Sequence, residues 1–477
     1  MKKIIFALMF TAGVVNISFA QNQVDALRFS QITYGGTARS MAMGGAFGAL
    51  GADFSVLSIN PGGIGFYKAS EITFTPSIYT AKTSSEYAGL NGSDVKYNFN
   101  VSNAGIVFTI TPKKAESSWK GVQFGFGVNR MANFNSAILI EGPNSTNSIL
   151  DGYVNDAMGV VPKDLDPFST EMAFNTYLID TLGSLTNYIS AIPDGGAMQS
   201  KFIETKGSVN EMVLTIGGNY NDRLYMGASF GFPYLSYYES STYREIDEGD
   251  SIPGFKEMSL HEDLETDGTG FNFKFGLIYR IADWVRIGAS VHTPTFYNLK
   301  DKYSKEMTAT YDNGAHYTTE SPKGSFNYEL TTPLRATGSV AFIIGQYALI
   351  SADYEFVDYS DARLRSGTYK FFDENDAIGR IYTATSNIRA GFEVRLAPIS
   401  LRGGYQLNFS PYKDNLNDGQ RMAFSGGIGL RDKSYFVDLA YVYSKKSEDY
   451  YLYANVPSAV VNKFSNHNIL LTLGFRF

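Results

Sequence analysis

The chain has no cysteine, so neither a disulfide nor a lipid attached through a thiol can help hold it. Charged residues make up only 18%, the formal charge is -7, and no basic run exists, which argues against nucleic acid as a partner. The chain also lacks an apolar run long enough to span a membrane as a helix. Its best stretch, Ile4 to Val15, is shorter than the roughly 17–25 residues required. That stretch follows the basic start Met1-Lys2-Lys3 and precedes Ser18-Phe19-Ala20, so residues 1–20 are expected to be a cleaved secretory signal peptide. Maturation at Gln21 takes the charge from -7 to -9. No low-complexity linker divides the remainder.

What is abundant is glycine (47), tyrosine (33) and phenylalanine (35). With a signal peptide and no spanning helix, that composition leaves a secreted β protein or a transmembrane β-barrel. Alternation decides between them. In "FNFKFGLIYRI", Phe271, Phe273, Phe275, Leu277, Tyr279 and Ile281 fall on one face and Asn272, Lys274, Gly276 and Arg280 on the other. "WVRIGASVH", "IRAGFEVRL", "ISLRGGYQLNF" and "YFVDLAYVY" repeat the pattern. A sandwich alternates too, but three features favour a barrel with its oily face outward. Aromatics flank the apolar faces, glycine recurs among the charges of the polar faces, and connections come in two sizes.

The short connections are Asn221-Asp222, Ala282-Asp283, Gly345-Gln346, Ala397-Pro398 and Asp432-Lys433. Long ones are expected near 131–207, 237–267, 301–322, 361–381, 410–420 and 445–466. Strands near 70–80, 98–112, 119–130, 208–220, 223–236, 268–280 and 283–300 begin the count. Those near 323–345, 346–359, 382–396, 399–409, 421–431, 434–444 and 467–477 complete it. The fold class is therefore all-β: a transmembrane antiparallel barrel of about 14 strands. The chain ends on the strand "NILLTLGFRF" (Asn468 to Phe477). Closure requires this last strand to pair with the first.

Residues 21–69 do not alternate, and are expected to form an N-terminal unit distinct from the barrel of 70–477. "ARSMAMGGAFGALGADFSVLSINPGGIGF" is Gly-rich, with a short helix expected within Ala42 to Leu57 and a turn at Asn60-Pro61-Gly62-Gly63. This segment, the strand count and "ADYEFVDYS" (Ala352 to Ser360) resemble the FadL-like (OmpP1/FadL/TodX) outer-membrane transporters of long-chain fatty acids and other hydrophobic compounds. The resemblance covers nearly all the mature chain, though only the segment before the barrel is specific. It implies that residues 21–69 are a hatch inside the lumen, which the Asn60-Pro61-Gly62 turn helps plug. Within that segment Arg39, Gly44, Gly45, Asn60, Pro61, Gly62 and Phe66 are expected to be hatch or gating residues. Gly62 stands where the family usually has alanine. It also implies lateral release of ligand near a kinked early strand. Physics points the same way, because a barrel of this size leaks unless filled and a Gly-rich segment packs closely on a wall. Arg39 is the only charge from Phe29 to Ala52, and it is expected either to pair with Asp353 or Glu355 or to face the periplasm. In outer-membrane proteins generally, a terminal Phe signals the barrel-assembly machinery. Phe475 and Phe477 fit that role.

The 131–207 insert spaces apolar residues as a helix would, and Leu178, Leu182, Leu185 and Ile189 are candidates for a ligand-capture stripe. The alternative is packing among the loops. Acidic 244–267 is expected to face solvent or bridging cations. "GASFG" (Gly227 to Gly231) matches a serine-hydrolase elbow only in spelling, since it lies inside an alternating strand, and no enzyme activity is expected. Of His261, His292, His316 and His467, three fall in loops and none has metal-ligand spacing, so no cofactor or metal is expected. The expected function is passive, TonB-independent uptake of hydrophobic small molecules such as fatty acids through the outer membrane, gated by the hatch. Outer-membrane lipid and lipopolysaccharide would surround it. A barrel of a secretion or surface-assembly system, or a haem-capturing receptor, is the alternative.

Overall fold

The computed structural model describes residues 23–112, 117–193 and 195–477, so the signal-peptide reading lies outside the described residues. Fourteen antiparallel strands close into a barrel. They are β1 (Glu71–Tyr87), β2 (Leu90–Ile110), β3 (Trp119–Asn133, continued as Ser136–Asn144), β4 (Ala197–Tyr220), β5 (Leu224–Ile246) and β6 (Phe255–Ala282). Next come β7 (Val285–His292 and Phe296–Tyr311), β8 (Gly324–Thr331 and Arg335–Ile344), β9 (Ala348–Asp358) and β10 (Ala384–Leu396). Finally come β11 (Ile399–Asn408), β12 (Arg421–Arg431), β13 (Tyr435–Tyr450) and β14 (Val460–Arg476). Each pairs with its sequence neighbour, and β14 returns to β1 with Arg476 opposite Glu71. The Phe477 amide donates to Ser70 O at 3.0 Å, so the chain end is tied into the wall.

The oily faces point outward. On β6, Phe271, Phe275 and Tyr279 are exposed while Asn272, Lys274 and Gly276 are buried in the lumen. On β10, Ile388 and Phe392 are outside, and Arg389 and Glu393 are inside. An exposed aliphatic and aromatic belt of this kind is stable only against hydrocarbon, so the strands span a membrane. Trp119, Tyr220, Trp284, Tyr347 and Tyr435 ring the short-turn end, where amphipathic rings favour the bilayer interface.

The connections differ from expectation. β5 and β6 pair in one register from Leu224–Tyr279 up to Ile246–Glu257, interrupted only at Phe232-Pro233, so most of 237–267 is strand rather than loop. β1 and β2 likewise run on to a tight turn at Ala88-Gly89, both at positive φ. Beyond the bilayer the outer face of such a hairpin is polar while Tyr243, Met258 and Leu260 are buried inside, which inverts the pattern that marks a membrane strand. For the same reason all four histidines lie on strands, none in a loop. The acidic residues of 244–267 do not stand alone either: Glu257, Glu262 and Glu265 pair with Arg244, Lys305 and Lys302.

The two ends of the 131–207 insert belong to β3 and β4 rather than to a loop, and the described residues between Asn144 and Ala197 form a cap on the long-hairpin end. It contains a capped helix (Ile149–Ala157), a short helix (Thr170–Asn175) and a small hairpin, Ile179–Thr181 with Tyr188–Ser190. At its base Glu245 accepts from Ser148 Oγ at 2.5 Å and the Ile149 amide at 3.1 Å, joining the first helix to β5. Burial pushes its carboxyl above the usual range despite these donors.

Candidate functional site

Inside the barrel lie residues 23–66, in three helices: α1 (Gln23–Ser30), α2 (Ala38–Ala42) and α3 (Val56–Ile59), then a 3-10 turn, Pro61–Phe66. The helix expected within 42–57 is not there. Gly44 and Gly45 both take positive φ just after α2, which ends it, and the expected range holds only the last residue of α2 and the start of α3.

Glycines in the wall seat this segment. A Cβ on Gly288 of β7 would stand 2.2 Å from Gly48 O, and one on Gly227 of β5 would stand 2.2 Å from Pro61 O. On Gly276 of β6 it would meet Asn60 Oδ1 at 1.9 Å, and on Gly391 of β10 Met43 O at 2.3 Å. The contacts are mutual. Gly44, at φ +65°, has Tyr405 O 2.8 Å from a virtual Cβ, and Gly62 has Gly276 O at 2.9 Å. Backbone lies against backbone, which is why glycine recurs on lumen faces.

Such a buried irregular segment must find partners for its peptide groups, and the wall supplies them. Ala38 N donates to Thr472 Oγ1 at 2.7 Å, and Gly48 N to Asp353 Oδ2 at 3.0 Å. Ser229, Ser290 and His292 hold the carbonyls of Leu57 and Ile59 at 2.8–3.0 Å. The serine of "GASFG" is thus a support for α3. Asn60 bridges inward and outward, its Nδ2 donating to Gly48 O at 2.6 Å and Leu277 O at 3.1 Å, its Oδ1 accepting from Gly62 N at 3.0 Å. Pro61 begins the turn that Asn60 caps. Phe66 stacks on Tyr225 with centroids 3.6 Å apart.

Arg39 meets neither Asp353 nor Glu355. Its Nε donates to Glu393 Oε2 at 3.0 Å, and it is 5% exposed. Asp353 is engaged by Gly48, and Glu355 by Arg335 at 2.8 Å and Arg389 at 3.1 Å. Glu393 also receives Arg402 Nε at 2.7 Å and Arg395 Nε at 2.7 Å. Arg39→Ala therefore removes a tether between the lumen segment and the wall but leaves Glu393 with two arginines. The barrel should keep its thermal stability, while planar-bilayer recordings should show more frequent openings than wild type.

The wall is interrupted at one side. β2 pairs with β3 only from Asn103–Asn129 to Ile110–Val122, and its residues above Asn103 pair with β1 alone. β3 changes register between Arg130 and Ala132 and breaks at Phe134-Asn135 before resuming against β4. Higher up, a Cβ on Gly92 would touch Leu139 O, and Lys96 pairs with Glu204, so the wall meets again there. The unpaired window is stopped from within: Thr33 N and Gly35 N each donate at 2.8 Å to Met131 O and Arg130 O, and Gly36 N donates to Ser102 Oγ at 3.0 Å. Outside it, Tyr97 and Phe99 are each 72% exposed.

Behind the window lies a cavity of about 30 Å³, lined by Phe29, Ile32 and Met131 on one side and by Glu211, Lys274, His292 and Arg335 on the other. That holds water but no hydrocarbon chain. Lys274 Nζ sits 2.5 Å from Glu211 Oε1, and Nδ1 of His292 has no partner among the described residues.

The capture candidates separate. Leu178 is fully buried in the cap core, whereas Leu182, Leu185 and Ile189 are exposed on the small hairpin. No helix joins them: chain reversal at Tyr177, φ 61°, ends the short helix and turns the segment into β structure. The residues that form the window carry no signal in the sequence, where lateral release is implied only by the family resemblance. Register breaks carry no composition signal, but the Gly-lined polar faces did mark where something packs.

No protein-family model matches this chain, and no curated protein matches it either. Solved structures do. The Pseudomonas putida toluene transporter TodX aligns at TM-score 0.53 and 14% identity, over 94% of this chain and 100% of that one. A Pseudomonas aeruginosa FadL homologue aligns at 0.54 and 13%, over 94% and 99%. The CymD monoaromatic hydrocarbon channel aligns at 0.53 and 14%, over 93% and 98%. The chain has the fold of the FadL-like transporters.

Proposed function

We propose that this protein is an outer-membrane channel for passive uptake of hydrophobic small molecules, with residues 21–69 as its hatch and long-chain fatty acids among its substrates. The observation that carries this reading is the stoppered window between β2 and β3. An apolar solute in the lumen gains nothing by entering periplasmic water, but it gains about 0.8 kcal/mol per CH₂ by moving sideways into lipid. Phe29, Ile32 and Met131 line the inner side of that route, and Tyr97 and Phe99 its outer side. The exposed Leu182, Leu185 and Ile189 offer a first apolar contact on the cap. Since the cavity behind the window is too small for a ligand, residues 33–36 must withdraw from β3 during passage. This step needs no energy-coupling partner. Phe475 and Phe477 are proposed to serve assembly.

Because the chain has no native cysteine, the gate can be locked cleanly. A Cβ built on Gly35 lies 3.2 Å from Arg130 Cβ, close to the roughly 3.5–4.5 Å of a disulfide. It also lies 2.9 Å from Arg130 O and 2.8 Å from Ser102 Oγ, so the reduced double variant is the reference for the oxidised one. Gly35→Cys with Arg130→Cys, oxidised, should abolish uptake of radiolabelled oleate into cells, and dithiothreitol should restore it. Undiminished uptake with the bridge formed would refute gating by this segment.

A further inference from the structure

On the opposite side of the hatch, at the short-turn end, a larger cavity of about 420 Å³ opens outward. Its lining includes Arg39, Arg286, Arg395 and Arg431 and no carboxylate. The nearby acids are already shared. Glu393 serves Arg39, Arg395 and Arg402, while Asp438 serves Arg402 at 2.6 Å and stands 3.6 Å from Arg431. Arg286 has no acidic partner among the described residues and lies over the Phe66 ring at 4.5 Å. Its Nε and that of Arg431 are buried and donate to nothing among the described residues. Guanidinium groups crowded in this way repel unless an anion joins them, and their forks suit an oxyanion. The rest of the lining is oily: Leu50, Phe66, Ile343, Leu349, Pro398 and Ile399.

We propose that this cavity is a second binding site, for a single-chain amphiphilic anion. Its carboxylate or phosphate would lie among Arg286, Arg395 and Arg431, and its acyl chain along Leu50, Ile343 and Leu349. The site is separate from the window and does not depend on lateral release. Either of two sources fits this chemistry: a fatty acid arriving from the lumen, or a lipid of the surrounding leaflet.

Binding of tritiated palmitate to purified protein in nonionic detergent tests it, with unlabelled competitors. Palmitate should be displaced by 1-palmitoyl-lysophosphatidylglycerol but not by methyl palmitate, which lacks the charge. Arg286→Gln with Arg395→Gln should weaken palmitate binding by about tenfold, as loss of charge-assisted hydrogen bonds requires. A stronger competitor in the lysophospholipid than in palmitate itself identifies membrane lipid as the occupant, and the reverse order identifies fatty acid. Equal competition by the methyl ester, or unchanged affinity in the folded double variant, overturns the proposal. If that variant fails to fold, wild-type protein decides: millimolar inorganic phosphate should displace palmitate, and failure to do so overturns the site. Palmitate binding to the oxidised Gly35→Cys/Arg130→Cys protein keeps the readings apart, since locking the window should abolish uptake and leave this binding unchanged.

Discussion

Gly288→Leu should turn the closed channel into an open pore while leaving the barrel folded. The first side-chain carbon at 288 would lie 2.2 Å from the carbonyl oxygen of Gly48, a backbone atom that no rotamer change can move aside. Overpacking of this kind typically costs about 1–3 kcal/mol, and the two sides are not equally able to yield. Around residue 288, β7 is held from Arg286 to His292 by unbroken ladders to β6 and β8, whereas residues 44–52 are held by turns and a few side-chain bonds. The hatch must therefore give way. Single-channel conductance in planar bilayers should rise by an order of magnitude, and cells carrying the variant should become sensitive to large antibiotics. Gly338→Leu is the matched control. It lies one strand away and a Cβ there meets nothing within 4 Å, so conductance should not change. Wild-type conductance from a folded Gly288→Leu barrel would contradict the hatch as the seal.

The same glycines show how far the sequence could be read. Period-two alternation in "FNFKFGLIYRI" placed Lys274 inside and Phe275 outside because a membrane and a packed lumen impose opposite demands on adjacent residues. Where the wall leaves the bilayer that contrast inverts, with Tyr243, Met258 and Leu260 buried and Arg244 and Lys256 exposed, so the long hairpins read as loops. The partner of Arg39 was out of reach for another reason. Glu393 lies 354 residues away, and its nearness depends on barrel closure and on which wall carboxylates are already engaged. The helix expected from Leu178 to Ile189 is a hairpin instead, because helical spacing over so few residues cannot distinguish a helix from a hairpin that buries Leu178 and exposes Leu182, Leu185 and Ile189. The interruption of β3 has no signature at all in a single sequence.

Glu355→Leu tests the other half of the lumen's design, and a large loss of barrel stability is expected. Glu355 accepts from Arg335 at 2.8 Å, Arg389 at 3.1 Å and Asn387 at 2.7 Å, all buried. Its removal leaves Arg335 without an acid and Arg389 with only Asp353, 3.9 Å away. Stripping one member from a buried ion cluster typically costs about 3–5 kcal/mol, because the remaining charge stays desolvated. Urea titration in detergent, followed by heat-modifiable gel mobility, should show that loss. Replacing the whole cluster by Arg335→Met, Glu355→Leu and Arg389→Met should recover most of it, since well-packed apolar groups substitute for buried ion pairs at little cost. Function should not recover with it. Arg335 Nη2 also donates to Ser30 O at 2.6 Å, at the end of α1 beside the segment that stops the window. A barrel stable without Arg335 should still leak or transport faster. A Glu355→Leu protein as resistant to urea as wild type would show that the cluster contributes nothing to folding.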